Sequence, residues 1–180
     1  MSEARLPVYT VGHSTRTIDE FVELLRCGAV GLVIDIRTVP RSRTNPQYNA
    51  DVLGSRLESF QITYLRIAEL GGLRGRSQTV PPQVNGYWEN QSFHNYADYA
   101  LTSVSFAEGL AKLEALASNR STAMMCSEAV WWRCHRRIVA DYLLLHDATV
   151  LHLMGKDRVD AATMTPAARE RGGRLAYPAP

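Results

Sequence analysis

The sequence has little lysine, no long hydrophobic run and no strong excess of charge of one sign. Lys112 and Lys156 are the only lysines among 20 basic residues in a chain of 180. The net charge of +2 excludes the broad basic surface of a general polyanion-binding domain. Codon bias alone would favour arginine over lysine, but arginine also makes forked contacts with phosphate and carboxylate that lysine cannot reproduce.

The chain also lacks the features of exported and membrane proteins. No segment approaches the roughly 18 apolar residues of a membrane span, and the N-terminal stretch MSEARLPVYT has no signal-peptide core. The three cysteines, Cys27, Cys126 and Cys134, are an odd number, which argues against a disulfide scaffold. We therefore expect a cytoplasmic protein without membrane association, whose thiols are buried, reactive or metal-bound.

Segments with strand and helix periodicity alternate along the chain. The pattern predicts strands over 8–11, 30–36, 62–67, 123–126 and 149–154, and helices over 18–25, 50–60, 96–117 with a break near 102–105, and 134–145. This alternation predicts a Rossmann-like three-layer α/β/α sandwich with a mostly parallel five-stranded sheet. We expect a single domain over 1–156 and a loosely attached tail over 157–180. The irregular segment 73–95 is typical of a functional lid or of disorder.

Polar residues follow four of the predicted strands where each strand ends. Parallel sheets bind ligands outside the carboxyl ends of their strands, so these residues are expected at one rim of the molecule. They are His13 and Ser14 after the first strand, Asp35, Arg37, Arg41 and Arg43 after the second, Glu69 to Gly72 after the third, and Cys126 to Glu128 after the fourth.

The stretch from Cys126 to Arg136 combines two thiols with charged residues at a predicted helix start. Backbone amides at such a position favour anions and lower the pKa of a nearby thiol. Packing is the alternative, because Cys134 and His135 continue the apolar stripe of the helix. A Cys126–Cys134 redox pair is also possible. The spacing suits neither structural zinc nor the loop of thiol phosphatases, and we assign no metal ligand.

The other rim residues also have more than one interpretation. Asp35 is a general base, a metal ligand or the ion-pair partner of Arg37, and the ion pair is favoured. His13 is a proton carrier or a turn histidine satisfied by its neighbours. Arg74, beside Gly71 and Gly72, contacts phosphate or packs against the nearby aromatic residues.

With these motifs assembled, the chain resembles the bacterial domain-of-unknown-function family numbered 488. The likeness runs from TVGHS at 10–14 through DIRTVPRSR at 35–43 and ELGG at 69–72 to MCSE and CHR, which ends at Arg136. The resemblance implies a single three-layer α/β domain and marks the same rim residues. Leu73 stands where an arginine often follows the two glycines in that family, which shifts any role of that arginine to Arg74.

We favour an enzyme that binds an anionic, phosphate-bearing nucleotide or nucleic-acid-like substrate in a strand-end pocket. The predicted roles are Cys126 as nucleophile or ligand, Glu128 and His13 as proton-handling groups, Asp35 as an orienting acid, and Arg37, Arg41 and Arg136 as an anion clamp. His135 is a further catalytic candidate. Further substrate contacts are expected from Ser14, Arg43, Gly71, Gly72 and Arg74. The sequence indicates no particular cofactor or oligomeric state. The alternative is a non-catalytic regulatory module that binds a nucleotide or nucleic acid, or a metal-binding domain.

Overall fold

A computed structural model of the protein describes residues 5–180. The first four residues of the N-terminal stretch considered above lie outside the described residues. Within 5–180 the strands are β1 Val8–Gly12, β2 Leu32–Asp35, β3 Thr63–Arg66, β4 Thr122–Cys126, β5 Val150–Gly155, β6 Arg158–Ala161, β7 Arg169–Arg171 and β8 Arg174–Ala176. The helices in the same range are α1 Ile18–Arg26, α2 Ala50–Glu58, α3 Gln91–Thr102, α4 Val104–Ala117 and α5 Arg136–Leu145.

The central sheet has the order β3-β2-β4-β1-β5-β6, and its first five strands are parallel. The predicted three-layer, mostly parallel α/β fold is therefore confirmed. The sheet has six strands and not five, because β6 pairs antiparallel with β5 at the edge. No helix within 5–180 combines the length and the apolar character needed to cross a membrane.

Alternating side chains of the buried strands build a separate core on each face of the sheet. Val33 and Met125 pack with the apolar residues of α1 and α2. Ile34, Met124 and Cys126 pack with those of α3, α4 and α5. Strands covered on both faces carry near-continuous apolar sequence, which is why β2 and β4 were recognisable from the sequence.

The connections that follow β1 and β4 run in opposite directions across the sheet, and this reversal positions the site. Helix α1 leaves β1 on one face of the sheet, whereas α5 leaves the neighbouring β4 on the other face. A crevice forms at the carboxyl ends of two neighbouring strands whose connections diverge in this way. The Gly12 and Cys126 positions are paired in register at that point.

The structure differs from the expectation that 157–180 would be loosely attached. Strand β6 joins the main sheet, and β7 and β8 form a hairpin. Leu175, Ala176 and Tyr177 are buried, and the Tyr177 hydroxyl donates to Asp141 at 2.9 Å. A polar segment with short strands gives a weak periodic signal, so its packing depends on tertiary contacts that the sequence pattern does not display.

The irregular segment 73–95 is also packed against the domain. Asn85 and Trp88 are buried, and the Asn85 amide donates to Asp98 at 2.7 Å. Helix α3 begins at Gln91, earlier than predicted, where the Asn90 side chain accepts hydrogen bonds from the backbone amides of Ser92 and Phe93. Ser103 separates α3 from α4, within the predicted break.

Candidate active site

A cavity of about 460 Å³ opens at the carboxyl ends of β1, β2 and β4. This volume lies within the range of small-molecule binding sites. The lining residues include both buried cysteines, three arginines and several apolar side chains: His13, Arg37, Thr38, Val39, Arg41, Ser42, Gly72, Leu73, Ser92, Phe93, Cys126, Ser127, Glu128, Arg133, Cys134 and His135. The cavity brings together polar residues from the ends of separate strands, at the rim where parallel sheets bind ligands.

Two thiols in mutual contact lie at the inner wall of this cavity. Cys126 is the last residue of β4, and Cys134 lies two residues before the start of α5. Their Sγ atoms are 2.7 Å apart, within hydrogen-bond distance, and both cysteines are free thiols. The residues are only 3% and 5% exposed, so a reagent reaches them only from the cavity side. Cys27 is exposed elsewhere, near the end of α1, and its thiol donates to the carbonyl of Lys156.

Arg136 is fully buried beneath the thiols. Its Nη1 atom donates to Cys126 Sγ at 2.7 Å and to the carbonyl of Glu128 at 2.5 Å, and Nη2 donates to the carbonyl of Ala129 at 3.1 Å. The guanidinium therefore holds the loop after β4 and places a positive charge against the sulfur. It does not line the cavity, so the geometry does not present it as part of an anion clamp.

His135 presents an unprotonated ring nitrogen to the second thiol. Its Nε2 atom lies 2.9 Å from the carbonyl of Ile36, which can only accept, so Nε2 carries the proton. Nδ1 then has a free lone pair and lies 3.5 Å from Cys134 Sγ. Burial lowers the pKa of His135, which keeps the ring neutral near neutral pH.

The two thiols differ in acidity. Burial raises the pKa of Cys134, but the hydrogen bond from Cys126 and the charge of Arg136 outweigh burial and lower that pKa to about 7. Burial raises the pKa of Cys126, and the neighbouring Cys134 raises it further. The pair therefore loses one proton readily and holds the second tightly. The resulting negative charge raises the pKa of Arg136, despite its burial.

A second polar group, built around Asp35, lies on the opposite face of the sheet. Asp35 Oδ1 and Oδ2 accept from Arg37 Nε at 2.9 Å and Nη2 at 2.7 Å, and the Tyr64 hydroxyl donates to Oδ2 at 2.6 Å. The Arg37 Nη2 atom also donates to the carbonyl of Tyr48 at 2.7 Å. Asp35 is fully buried and does not reach the cavity, whereas Arg37 does.

His13 connects this second group to the thiols. Its backbone amide donates to the carbonyl of Cys126 at 2.9 Å, which extends the β1–β4 pairing into the site. Its Nδ1 atom donates to the carbonyl of Ser14 at 2.8 Å, so Nε2 accepts from Arg37 Nη1 at 3.2 Å. Burial lowers the pKa of His13 to about 4, and the ring stacks on Tyr48. Both ring nitrogens are engaged, which leaves none free to carry a proton to a substrate.

The remaining residues predicted for the site fall into two groups. Glu128, Arg41 and Gly72 line the cavity, and the first two have exposed side chains. The others do not line it: Ser14, Arg43, Gly71 and Arg74. The Arg74 guanidinium instead lies 3.8 Å from the Tyr99 ring centroid and donates to the carbonyls of Ala68, Glu69 and Gly71.

Sequence reasoning left several lining residues out. Four residues without a predicted role in the site line the cavity: Arg133, Thr38, Leu73 and Phe93. Cys134 also lines it, although no catalytic role was predicted for it. Arg133 and Cys134 lie beside predicted site residues, which was the available signal. Phe93 and Leu73 come from the irregular segment, whose path over the rim depends on long-range packing.

Among residues 5–180, no three His, Cys, Asp or Glu side chains are grouped so that they could hold a metal ion. The family model described as Domain of unknown function DUF488 matches residues 17–143, which is more than half of the chain. No curated protein and no solved structure matches the chain.

Proposed function

We propose, for a chain that belongs to the family Domain of unknown function DUF488, that it is a thiol-dependent enzyme acting on a small anionic substrate. The observation that carries this proposal is the pair Cys126–Cys134, in mutual contact at the wall of a cavity of ligand size. A thiolate is the reactive form of cysteine, and Cys134 has the lowered pKa. We propose Cys134 as the nucleophile, in place of Cys126, because its sulfur also faces His135 Nδ1 and the backbone amide of Arg136.

The charges around the cavity support an anionic substrate. Arg41 and Arg133 are exposed and line the cavity, and Arg41 has only a long contact of 3.9 Å with Asp51, between two exposed side chains. The cation of Arg37 is neutralised by Asp35, and that of Arg136 faces the thiols. Glu128 is the one acidic side chain among the lining residues that the structure describes. Two available arginines suit one or two anionic groups better than a long polyanion. A phosphate-bearing nucleotide stays within this proposal as a substrate class to be tested.

The experiment measures alkylation of each cysteine by iodoacetamide at neutral pH, with peptide mass spectrometry to separate the sites. We expect Cys134 to react faster than the exposed Cys27, although Cys134 is buried, because its thiolate is the more populated form. Inorganic phosphate and a nucleoside monophosphate should each slow the reaction at Cys134 and leave Cys27 unchanged. Slow alkylation of Cys134 without protection would contradict the proposal.

A matched pair of arginine variants tests the anion site. Arg41→Ala with Arg133→Ala should abolish the protection, whereas Arg56→Ala, an exposed change on α2, should retain it. Binding of nucleic acid that weakens steeply with salt, combined with unreactive thiols, would instead favour a regulatory nucleic-acid-binding module.

A further inference from the structure

We propose that Cys126 and Cys134 form a dithiol–disulfide couple that reduces a small anionic disulfide, with Cys134 as the attacking thiol and Cys126 as the resolving thiol. This inference rests on the proposed function, because it names the substrate class and the second reacting group of the same site. The juxtaposition of the two Sγ atoms at 2.7 Å beside one cavity carries it.

The contact between the thiols distinguishes this chemistry from other uses of a cysteine nucleophile. A thiol that forms a phosphoryl or acyl intermediate needs water to release it, and a second thiol in contact contributes nothing to that step. A mixed disulfide, in contrast, is released by the attack of a neighbouring thiol on its sulfur. Disulfide exchange is therefore a thiolate chemistry in which both cysteines have a role.

The first step consumes the thiolate of Cys134. Cys134 Sγ attacks one sulfur of the substrate R–S–S–R′, the S–S bond breaks, and R′–S⁻ leaves with the electron pair of that bond. Cys134 is then joined to R–S in a mixed disulfide, while Cys126 still holds its proton. The arrangement suits Cys134 for this step because His135 Nδ1 and the backbone amide of Arg136 both face its sulfur, at 3.5 Å and 3.4 Å.

The second step releases the other half of the substrate. Cys126 gives its proton to the R′–S⁻ released in the first step, and its Sγ attacks Cys134 Sγ; the mixed S–S bond breaks, and R–S⁻ leaves with the electron pair of that bond. R–S⁻ takes from the solvent a proton equivalent to the one that Cys134 lost on ionisation, so the substrate has become two thiols. The protein has lost two electrons and gained a Cys126–Cys134 disulfide. Two molecules of a small-molecule thiol return the pair to the dithiol form and are themselves oxidised to a disulfide.

Arg136 favours this order of events. Before the first step, negative charge on Cys134 holds the proton on Cys126. The mixed disulfide is uncharged, so that repulsion disappears while Arg136 Nη1 stays 2.7 Å from Cys126 Sγ. Cys126 therefore becomes easier to deprotonate at the moment when its attack is needed.

The walls of the cavity define the substrate further. Arg41 and Arg133 supply positive charge, and Val39, Leu73 and Phe93 supply apolar surface. Val39 and Leu73 are 57% and 67% exposed, and both line this cavity. A disulfide with an anionic group on an organic body fits this combination.

The test uses the full chain carrying Cys27→Ser, reduced and freed of reductant, with dithiobis(nitrobenzoate) as an anionic aromatic disulfide. We expect each protein molecule to release two nitrothiobenzoate ions and to retain none, because the internal disulfide forms. Cys126→Ser in the same background should release one ion and retain one as a mixed disulfide on Cys134. Cys134→Ser should slow the first release about tenfold or more, since the acidic thiol is gone.

Further controls separate the possible failures. Circular dichroism identifies variants that do not fold. Alanine replacements of the same cysteines repeat each test with a second side chain. Arg41→Ala with Arg133→Ala should slow the anionic disulfide but not the neutral dithiodipyridine, and Arg56→Ala should slow neither. If nitrothiobenzoate stays bound to both Cys126 and Cys134, the proposal of a dithiol–disulfide couple is contradicted. If Cys134 still alkylates rapidly and phosphate still protects it, the proposed function survives that result; if alkylation is slow and unprotected, both fail.

Discussion

At the scale of single residues, Arg136 decides what the thiols can do. A fully buried guanidinium requires partners, and here they are two loop carbonyls and the sulfur of Cys126. The sequence predicted this arginine as part of an anion clamp, because several polar and charged residues were expected at one rim of the sheet. Its burial behind the thiols arises from the path of the loop after β4, which residue type and spacing do not specify.

Replacing Arg136 by methionine should raise the pKa of Cys134, because the change removes the positive charge beside the thiol pair. The alkylation rate of Cys134 at neutral pH should fall about fivefold for the first unit of the rise and about tenfold for each further unit, in proportion to the thiolate fraction. The control is Arg137→Met, since the Arg137 guanidinium lies over the Trp88 ring at 4.9 Å. Equal rates in the two variants, both folded by circular dichroism, would contradict the role given to Arg136.

At the scale of secondary-structure elements, the structure contains the predicted strands and helices where their periodicity in the sequence is strong. Strand β4 and the register of its last residue, Cys126, follow from a continuous apolar run. Helix α5 begins at Arg136 and not at Cys134, because a short helical turn over Trp131–Arg133 and the cysteine precede it. Cys134 and His135 continue the apolar stripe of α5 in the sequence, but they lie before the first residue of the helix.

The turn after β3 fits closely against His135. A Cβ atom added at Gly72 would lie 2.5 Å from His135 Nδ1, whereas one added at Gly75 would meet nothing within 4 Å. Gly72→Ala should displace the imidazole from the carbonyl of Ile36, lower the free energy of unfolding by about 1–3 kcal/mol and slow the alkylation of Cys134.

Gly75→Ala is the matched control for this change, and it should leave both quantities close to those of the wild type. Urea unfolding and site-resolved alkylation measure the two effects. Unchanged alkylation in Gly72→Ala would show that His135 does not influence the thiol.

At the scale of the whole molecule, the C-terminal segment belongs to the core. Tyr177 is fully buried, its amide donates to the Asn85 side chain at 2.9 Å, and its hydroxyl donates to Asp141. These contacts join the C-terminus to the irregular segment and to α5. No local sequence pattern accompanies these contacts. The sequence therefore predicted the sheet and its rim, but not the packing of the C-terminal segment against the core.

Tyr177→Ala should lower the free energy of unfolding by about 3–5 kcal/mol, because it opens a cavity between these three segments. Tyr177→Phe should cost about 1–3 kcal/mol, since it removes only the hydrogen bond to the buried Asp141. Arg171→Ala, on the exposed strand β7, should change the value by no more than about 0.5 kcal/mol. Urea unfolding that detects no loss in either Tyr177 variant would restore the view of a loosely attached tail.

The central claim is that Cys134 is an activated thiol at the wall of a ligand cavity. The most direct measurement is the rate of alkylation of Cys134 against pH, resolved from Cys126 and Cys27 in the same sample by peptide mass spectrometry. A group with a lowered pKa gains reactivity as pH rises through that pKa, so the account predicts a midpoint near pH 7 for Cys134. A midpoint at or above the usual thiol value of about 8.5 would contradict the account.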